Sequence, residues 1–120
     1  MQAVDIEAAR EYYRAREACK YAQREEARQQ WLGRAREAIR RLAPHHPAVQ
    51  RVYLFGSVMQ PGRFHATSDI DVAVICETVE AESTFWRDLE QALQRDVDVR
   101  PLIGAVAEAV AQGGEPGYER

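Results

Sequence analysis

Residues 52–76 read VYLFGSVMQPGRFHATSDIDVAVIC. An apolar run, Val52-Tyr53-Leu54-Phe55, is cut short by Gly56-Ser57. A loop holding Pro61 and Gly62 follows, and Ser68-Asp69-Ile70-Asp71 then opens a second apolar run that ends at Cys76. Short runs rich in Val, Ile, Tyr and Phe between Gly and Pro breakers predict strands. Side chains two apart on a strand share a face, so Asp69 and Asp71 point the same way, with Cα atoms roughly 6.5–7 Å apart. Two carboxylates so placed repel unless a cation lies between them. Mg²⁺ suits such oxygens and keeps phosphate oxygens as further ligands. At Gly56 the missing Cβ lets a phosphate approach the backbone N–H groups, and Ser57 adds a hydroxyl. The stretch therefore predicts a phosphate cradle facing a metal-binding carboxylate pair.

Working outward, Asp98 is the third acid. It is a single charge inside Val97-Asp98-Val99, and a charge within an apolar strand is costly without a partner. If its strand lies beside that of Asp71, the three carboxylates and substrate phosphates suit a displacement assisted by two ions about 3.5–4 Å apart.

Gly-Ser, a second glycine in the loop, Ser-Asp-Ile-Asp and a later Val-Asp-Val together resemble the nucleotidyltransferases of the DNA polymerase β superfamily. The short chain is similar to the minimal nucleotidyltransferases, the MNT group. The resemblance covers roughly residues 50–120, including the terminal Tyr118-Glu119-Arg120. It implies that Gly56, Ser57 and Ser68 bind nucleotide, that Asp69, Asp71 and Asp98 are catalytic and hold two Mg²⁺ ions, and that ATP is the substrate. It also implies an antitoxin role beside a HEPN toxin, with AMP passed to a toxin tyrosine. The sequence departs from the family pattern in two places. Val58-Met59-Gln60 stands where many members carry a basic residue, and Pro61 is an extra residue before Gly62. Arg63 is the candidate replacement for the lost phosphate contact.

Length, at 120 residues, fits one domain with a real core. Net charge is −3, so direct nucleic-acid binding is not expected. The charge is uneven: residues 1–42 hold ten basic and seven acidic groups, residues 43–120 six and twelve. The proposed metal site lies in the acidic part, as expected where bound cations are missing from the count. Cys19 and Cys76 do not make a disulfide framework. No basic stretch followed by an apolar segment opens the chain, and no apolar run reaches membrane-spanning length. A cytoplasmic location without membrane contact is the expectation.

Residues 3–42 predict helix, rich in Ala, Glu, Gln and Arg, with no proline before Pro44. Acid–base pairs three apart, Glu25 with Arg28 among them, fit an exposed helix. Two apolar sets lie about half a turn apart. One is Val4, Ala8, Tyr12, Ala15, Cys19 and Ala22; the other is Trp31, Ala35, Ile39 and Leu42. Either the helix breaks within residues 23–33, with Gly33 a candidate, or a single helix of about 60 Å packs two faces against two bodies. The Trp31 set is expected to dock on the chain's own sheet, leaving the Tyr12 set for a partner protein or a second copy. Arg40 and His45 match the spacing of a HEPN nuclease motif, but Pro44 and Pro47 place the histidines in a linker. Residues 77–94 predict a helix with Phe85, Leu89, Ala92 and Leu93 on its apolar face, and the strand–helix–strand order makes the strands of Asp71 and Asp98 parallel neighbours. Residues 105–112 predict a last short helix, stopped by Gly113-Gly114 and followed by an edge segment.

The sequence thus predicts an α/β chain in two segments. Residues 1–43 form an N-terminal helical segment, and residues 44–120 a polymerase β-like nucleotidyltransferase core with a small mixed sheet. The expected reaction is Mg²⁺-dependent transfer of AMP from ATP to a hydroxyl. The alternative is a catalytically inactive module of the same fold that binds and neutralises a partner.

Overall fold

A computed structural model describes residues 5–120. Its first element, α1 (Ile6–Leu42), is one continuous helix of 37 residues. The Asp5 side chain caps it by accepting the Ala8 N–H at 3.0 Å, and Arg40 and Arg41 sit in the last turn, where the helix dipole favours cations. Gly33 does not break it. A glycine costs a helix only about 1 kcal/mol, and the packed residues on either side outweigh that. At roughly 1.5 Å per residue α1 runs about 55 Å and sets the long dimension of a molecule measuring 72 × 27 × 18 Å.

The remaining elements are β1 (Val49–Phe55), β2 (Ile70–Cys76), α2 (Val79–Leu93), β3 (Val97–Pro101), α3 (Gly104–Gly113) and β4 (Glu115–Glu119). The four strands form one mixed sheet in the order β3-β2-β1-β4. β1 is antiparallel to β2 and to β4, while β2 and β3 are parallel. The expected parallel pairing is therefore present. The tail is the edge strand β4, and Arg120 ties it down by donating to the carbonyls of Val49 and His46.

One sheet face carries the core. Val52, Leu54, Ile70, Val72, Val74, Val97 and Val99 pack against Phe85, Leu89 and Leu93 of α2 and Leu32, Ala35, Ala38 and Ile39 of α1. The amphipathic period of α2 explains its seat there. The two faces of α1 divide by position along the helix. Ala35 and Ile39 are buried as expected, Trp31 and Leu42 only partly, and Leu32 and Ala38 join them from positions the apolar pattern had not marked. The other set stands in solvent: Tyr12 is 63% exposed, and Ala8, Ala15, Cys19 and Ala22 are exposed as well. Val4 lies outside the described residues.

The Glu25–Arg28 pair corrects an expectation. Arg28 is the one charged residue buried among the described ones, at 5% exposure. It holds Glu25 at 2.8 Å and donates to the Val58 carbonyl, while Glu25 accepts the Gly62 N–H. The pair looks like a solvated helix pair in sequence but fastens the loop after β1 to α1. His46, in the linker, pairs with Asp88 of α2 at 2.9 Å and packs edge-on against Phe85.

Candidate active site

The second sheet face, away from α1 and α2, brings Asp71 and Asp98 together. β1 ends at Phe55, and β2 and β3 both begin at the same end of the sheet. Asp71 lies opposite Phe55 on one side and opposite Asp98 on the other. The carboxylates of Asp71 and Asp98 thus share a face because of strand register alone. With Phe55, Arg100 and Val106 they line a cavity of about 290 Å³ closed on one side by α3.

Gly56 begins a short 3₁₀ turn, residues 56–59, at φ +76°. A Cβ there would stand 2.1 Å from Oδ2 of Asp71, so no other residue fits without displacing the carboxylate. The Ser57 backbone N–H lies close enough to Asp71 to favour its charged form. Gly-Ser and the second aspartate of Asp-x-Asp are one packed unit, and a neighbouring cavity at Gly56, Gln60 and Ala109 leads away from it.

Electrostatics mark Asp71 as the pivot. Burial first, then Asp98 and Asp69, push its carboxyl up to about 6 from an ordinary 3.8; Arg100 and the Ser57 N–H oppose the rise. Asp98 is half-buried and held by Arg100, with Nε to Oδ2 at 2.9 Å. Asp69 is exposed at the loop end. The three acids feel one another, yet among the described residues no three carboxylate, histidine or cysteine side chains close into a metal cage. Arg100 holds the Asp98 carboxylate in an ion pair. The donor set itself suits a hard cation, since its members are carboxylates whose mutual repulsion a cation relieves.

Ser68 ends the loop. Its hydroxyl accepts the His65 N–H at 2.9 Å, and its carbonyl is gripped by Arg95, with Nε at 3.0 Å and Nη2 at 2.7 Å. Arg95 also donates to the carbonyls of His65 and Ala66. Gln94, left-handed at φ 51°, caps α2 and turns the chain just before it. Neither this clamp nor the Arg100–Asp98 pair was expected from the sequence. A cation two residues past a helix end carries no sequence mark of the carbonyls it will meet.

Residues 37–113 match the family described as "Polymerase beta, Nucleotidyltransferase". The chain belongs to that nucleotidyltransferase family. Among solved structures it is similar to a chain of a toxin–antitoxin crystal structure with AMP-PNP, at 32% identity and TM-score 0.59, over 71% of this chain and 73% of that one. A toxin–antitoxin MntA–HpeT mutant follows at 29% identity and TM-score 0.58, over 72% and 73%. A tri-AMPylated HEPN toxin in complex with MNT antitoxin, from Shewanella oneidensis, matches at 27% and TM-score 0.52, over 72% and 71%. None of the curated proteins compared matches the chain. No helix among the described residues is long and apolar enough to cross a membrane.

Proposed function

We propose that this chain is a cytoplasmic, Mg²⁺-dependent adenylyltransferase that moves AMP from ATP to a tyrosine hydroxyl of a HEPN-type partner and so acts as its antitoxin. The observation that carries the reading is the register of Asp71 against Asp98 beside a glycine turn packed directly on the Asp71 carboxylate. Likeness to structures holding AMP-PNP and an AMPylated HEPN toxin supports both the nucleotide and the partner.

Asp69, Asp71 and Asp98 are the residues that would hold Mg²⁺. When bound, the metal neutralises phosphate charge and lowers the pKa of a coordinated hydroxyl. The chain's own groups do the rest. The Gly56 turn and the Ser57 hydroxyl hold the triphosphate, and Ser68 closes the loop beside it. Asp98, released from Arg100, accepts the acceptor's proton. The acceptor oxygen bonds to the α-phosphorus, the bond from that phosphorus to the leaving oxygen breaks, and pyrophosphate departs. The partner protein brings the hydroxyl. The exposed half of α1 presents Tyr12, Tyr13 and Tyr21 as a surface for it or for a second copy of this chain.

The Arg100–Asp98 ion pair favours a second reading, a module that binds and neutralises its partner without transfer. Labelled ATP, incubated with this protein and the product of the neighbouring gene, separates the two. Mg²⁺-dependent label on the partner, lost in Asp71→Asn, supports transfer. Complex formation with no label, in Mg²⁺ or Mn²⁺, supports the inactive module.

A further inference from the structure

A second cavity lies across the 63–68 loop from the catalytic face and shares no lining residue with the cavities at Asp71 and Gly56. It measures about 400 Å³, the size that small-molecule sites occupy. One wall is α1, contributing Lys20, Arg24, Ala27 and Trp31; the other is Phe64 with its loop, and Arg95. The residues from α1 precede position 37, where the family match begins.

Its chemistry is one-sided. Lys20, Arg24 and Arg95 bring three cations, and no carboxylate lines the cavity. Arg95 spends its donors on the loop carbonyls but keeps its charge, with its guanidinium carbon 4.7 Å from the Trp31 ring centre and 4.5 Å from that of Phe64. Arg24 differs. Its Nε is buried and has no hydrogen-bond partner among the described residues. An unpartnered buried guanidinium N–H is costly, and such groups call for an acceptor. Lys20 has only a distant pairing with Glu17, at 3.7 Å. The floor, made by Ala27, Phe64 and the Trp31 side chain, is apolar. A bare inorganic ion would satisfy the cations and leave that floor wet.

We propose that this cavity binds a phosphate monoester carrying an aromatic body, of mononucleotide size. The phosphate takes the Arg24 guanidinium and the Lys20 ammonium as charge-assisted donors, and the ring system lies beside Ala27 and Trp31. The site is independent of the proposed transfer reaction and requires no metal.

The test is calorimetry with EDTA present, using 5′-AMP, phenyl phosphate and inorganic phosphate as probes. AMP and phenyl phosphate are expected to bind, with AMP tighter if the ligand is a nucleotide and the two equal if any aryl phosphate serves. Lys20→Gln with Arg24→Gln keeps helix propensity and is expected to weaken binding on the order of tenfold or more. Asp71→Asn is expected to leave it unchanged. The circular-dichroism melt of the double variant reports its fold, and the amide and indole NMR shifts of Trp31 locate the ligand. Equal affinity for inorganic phosphate and AMP would mean an adventitious ion only and would overturn the proposal. So would unchanged AMP affinity in the folded double variant, or loss of binding in Asp71→Asn. Loss of transfer activity with this binding intact would sink the catalytic reading and leave the second site standing.

Discussion

Arg95 donates through Nε and Nη2 to the carbonyl of Ser68, the residue immediately before Asp69. A cation at the end of α2 thereby fixes the loop that presents the first carboxylate. Removing it leaves three loop carbonyls without their charged donor and takes a cation from between Trp31 and Phe64. Arg95→Ala is expected to destabilise the protein by about 2–3 kcal/mol. Transfer should fall further than the stability loss explains. Arg95→Lys restores the charge but not the fork that reaches three carbonyls, so it should recover part of the melting temperature and little of kcat/KM. Equal recovery of both would reduce Arg95 to a structural role.

Gly56 and Asp71 make a matched pair. In Gly56→Ala the new Cβ meets Oδ2 of Asp71, at a positive φ that L residues rarely adopt. The expected loss is about 1–3 kcal/mol of stability together with nucleotide binding. Shortening the partner tests the cause. Gly56→Ala with Asp71→Ala should melt higher than Gly56→Ala alone, leaving the backbone strain and a tight contact at 3.1 Å with the remaining Cβ of residue 71. Additive losses in this double-mutant cycle would show that the clash is not what costs the stability.

The raised pKa of Asp71 has a sign. The native carboxyl titrates near 6 and an ordinary one near 3.8, so between those values the folded state holds more protons than the unfolded state. Stability of the metal-free protein therefore falls as pH rises through that window and is not regained above it. Discounting for solvent screening of this half-exposed group, the penalty near neutral pH is about 1–2 kcal/mol. Asp71→Asn should raise the melting temperature at about pH 7.5, with the gain shrinking as pH is lowered toward about 4. Mg²⁺ should stabilise the parent protein and not the variant, because only the parent retains the carboxylate that favours the ion. A gain independent of pH would point to a packing effect of the amide instead.

Trp31 and Tyr12 separate the two halves of α1. Trp31 is only partly buried, its ring stacked by Arg34 at 4.1 Å and Arg95 at 4.7 Å. Trp31→Ala should cost about 1.5–3 kcal/mol, below the range for a fully buried tryptophan. Tyr12→Glu, on the exposed stretch, should leave the melting temperature within about 0.5 kcal/mol of the parent and weaken partner binding or self-association in ultracentrifugation. Unfolding by Tyr12→Glu would show that this stretch packs on its own domain.

Period and punctuation made most of the fold legible. Strands β1, β2 and β3 and helix α2 follow from apolar runs between Gly, Pro and charged breakers, and the βαβ rule placed Asp71 beside Asp98. Long-range polar contacts were not legible. Glu25 and Arg28 share a spacing that suits either solvent or burial, and only the approach of Val58 and Gly62 makes them a clamp. Arg100 sits two residues from Asp98 on the same strand face, a placement readable from alternation, yet whether it pairs with that acid or faces solvent depends on the neighbouring elements. The continuity of α1 through Gly33 was undecidable locally, because packing at Leu32, Ala35 and Ile39 outweighs one unfavourable propensity.

The length of α1 beyond the core has a consequence for how the molecule breathes. Residues 10–19 are all exposed, with only the helix's own bonds and its cap to hold them, and isolated helical stretches of this length are marginal in water. Amide hydrogens there should exchange through local fraying, orders of magnitude faster than those near Ile39, which open only when the domain does. Trypsin should cut first at Arg14, Arg16 or Lys20. A partner seated on this stretch would slow both reactions without touching the catalytic face, so deuterium uptake along one helix reads out docking separately from chemistry.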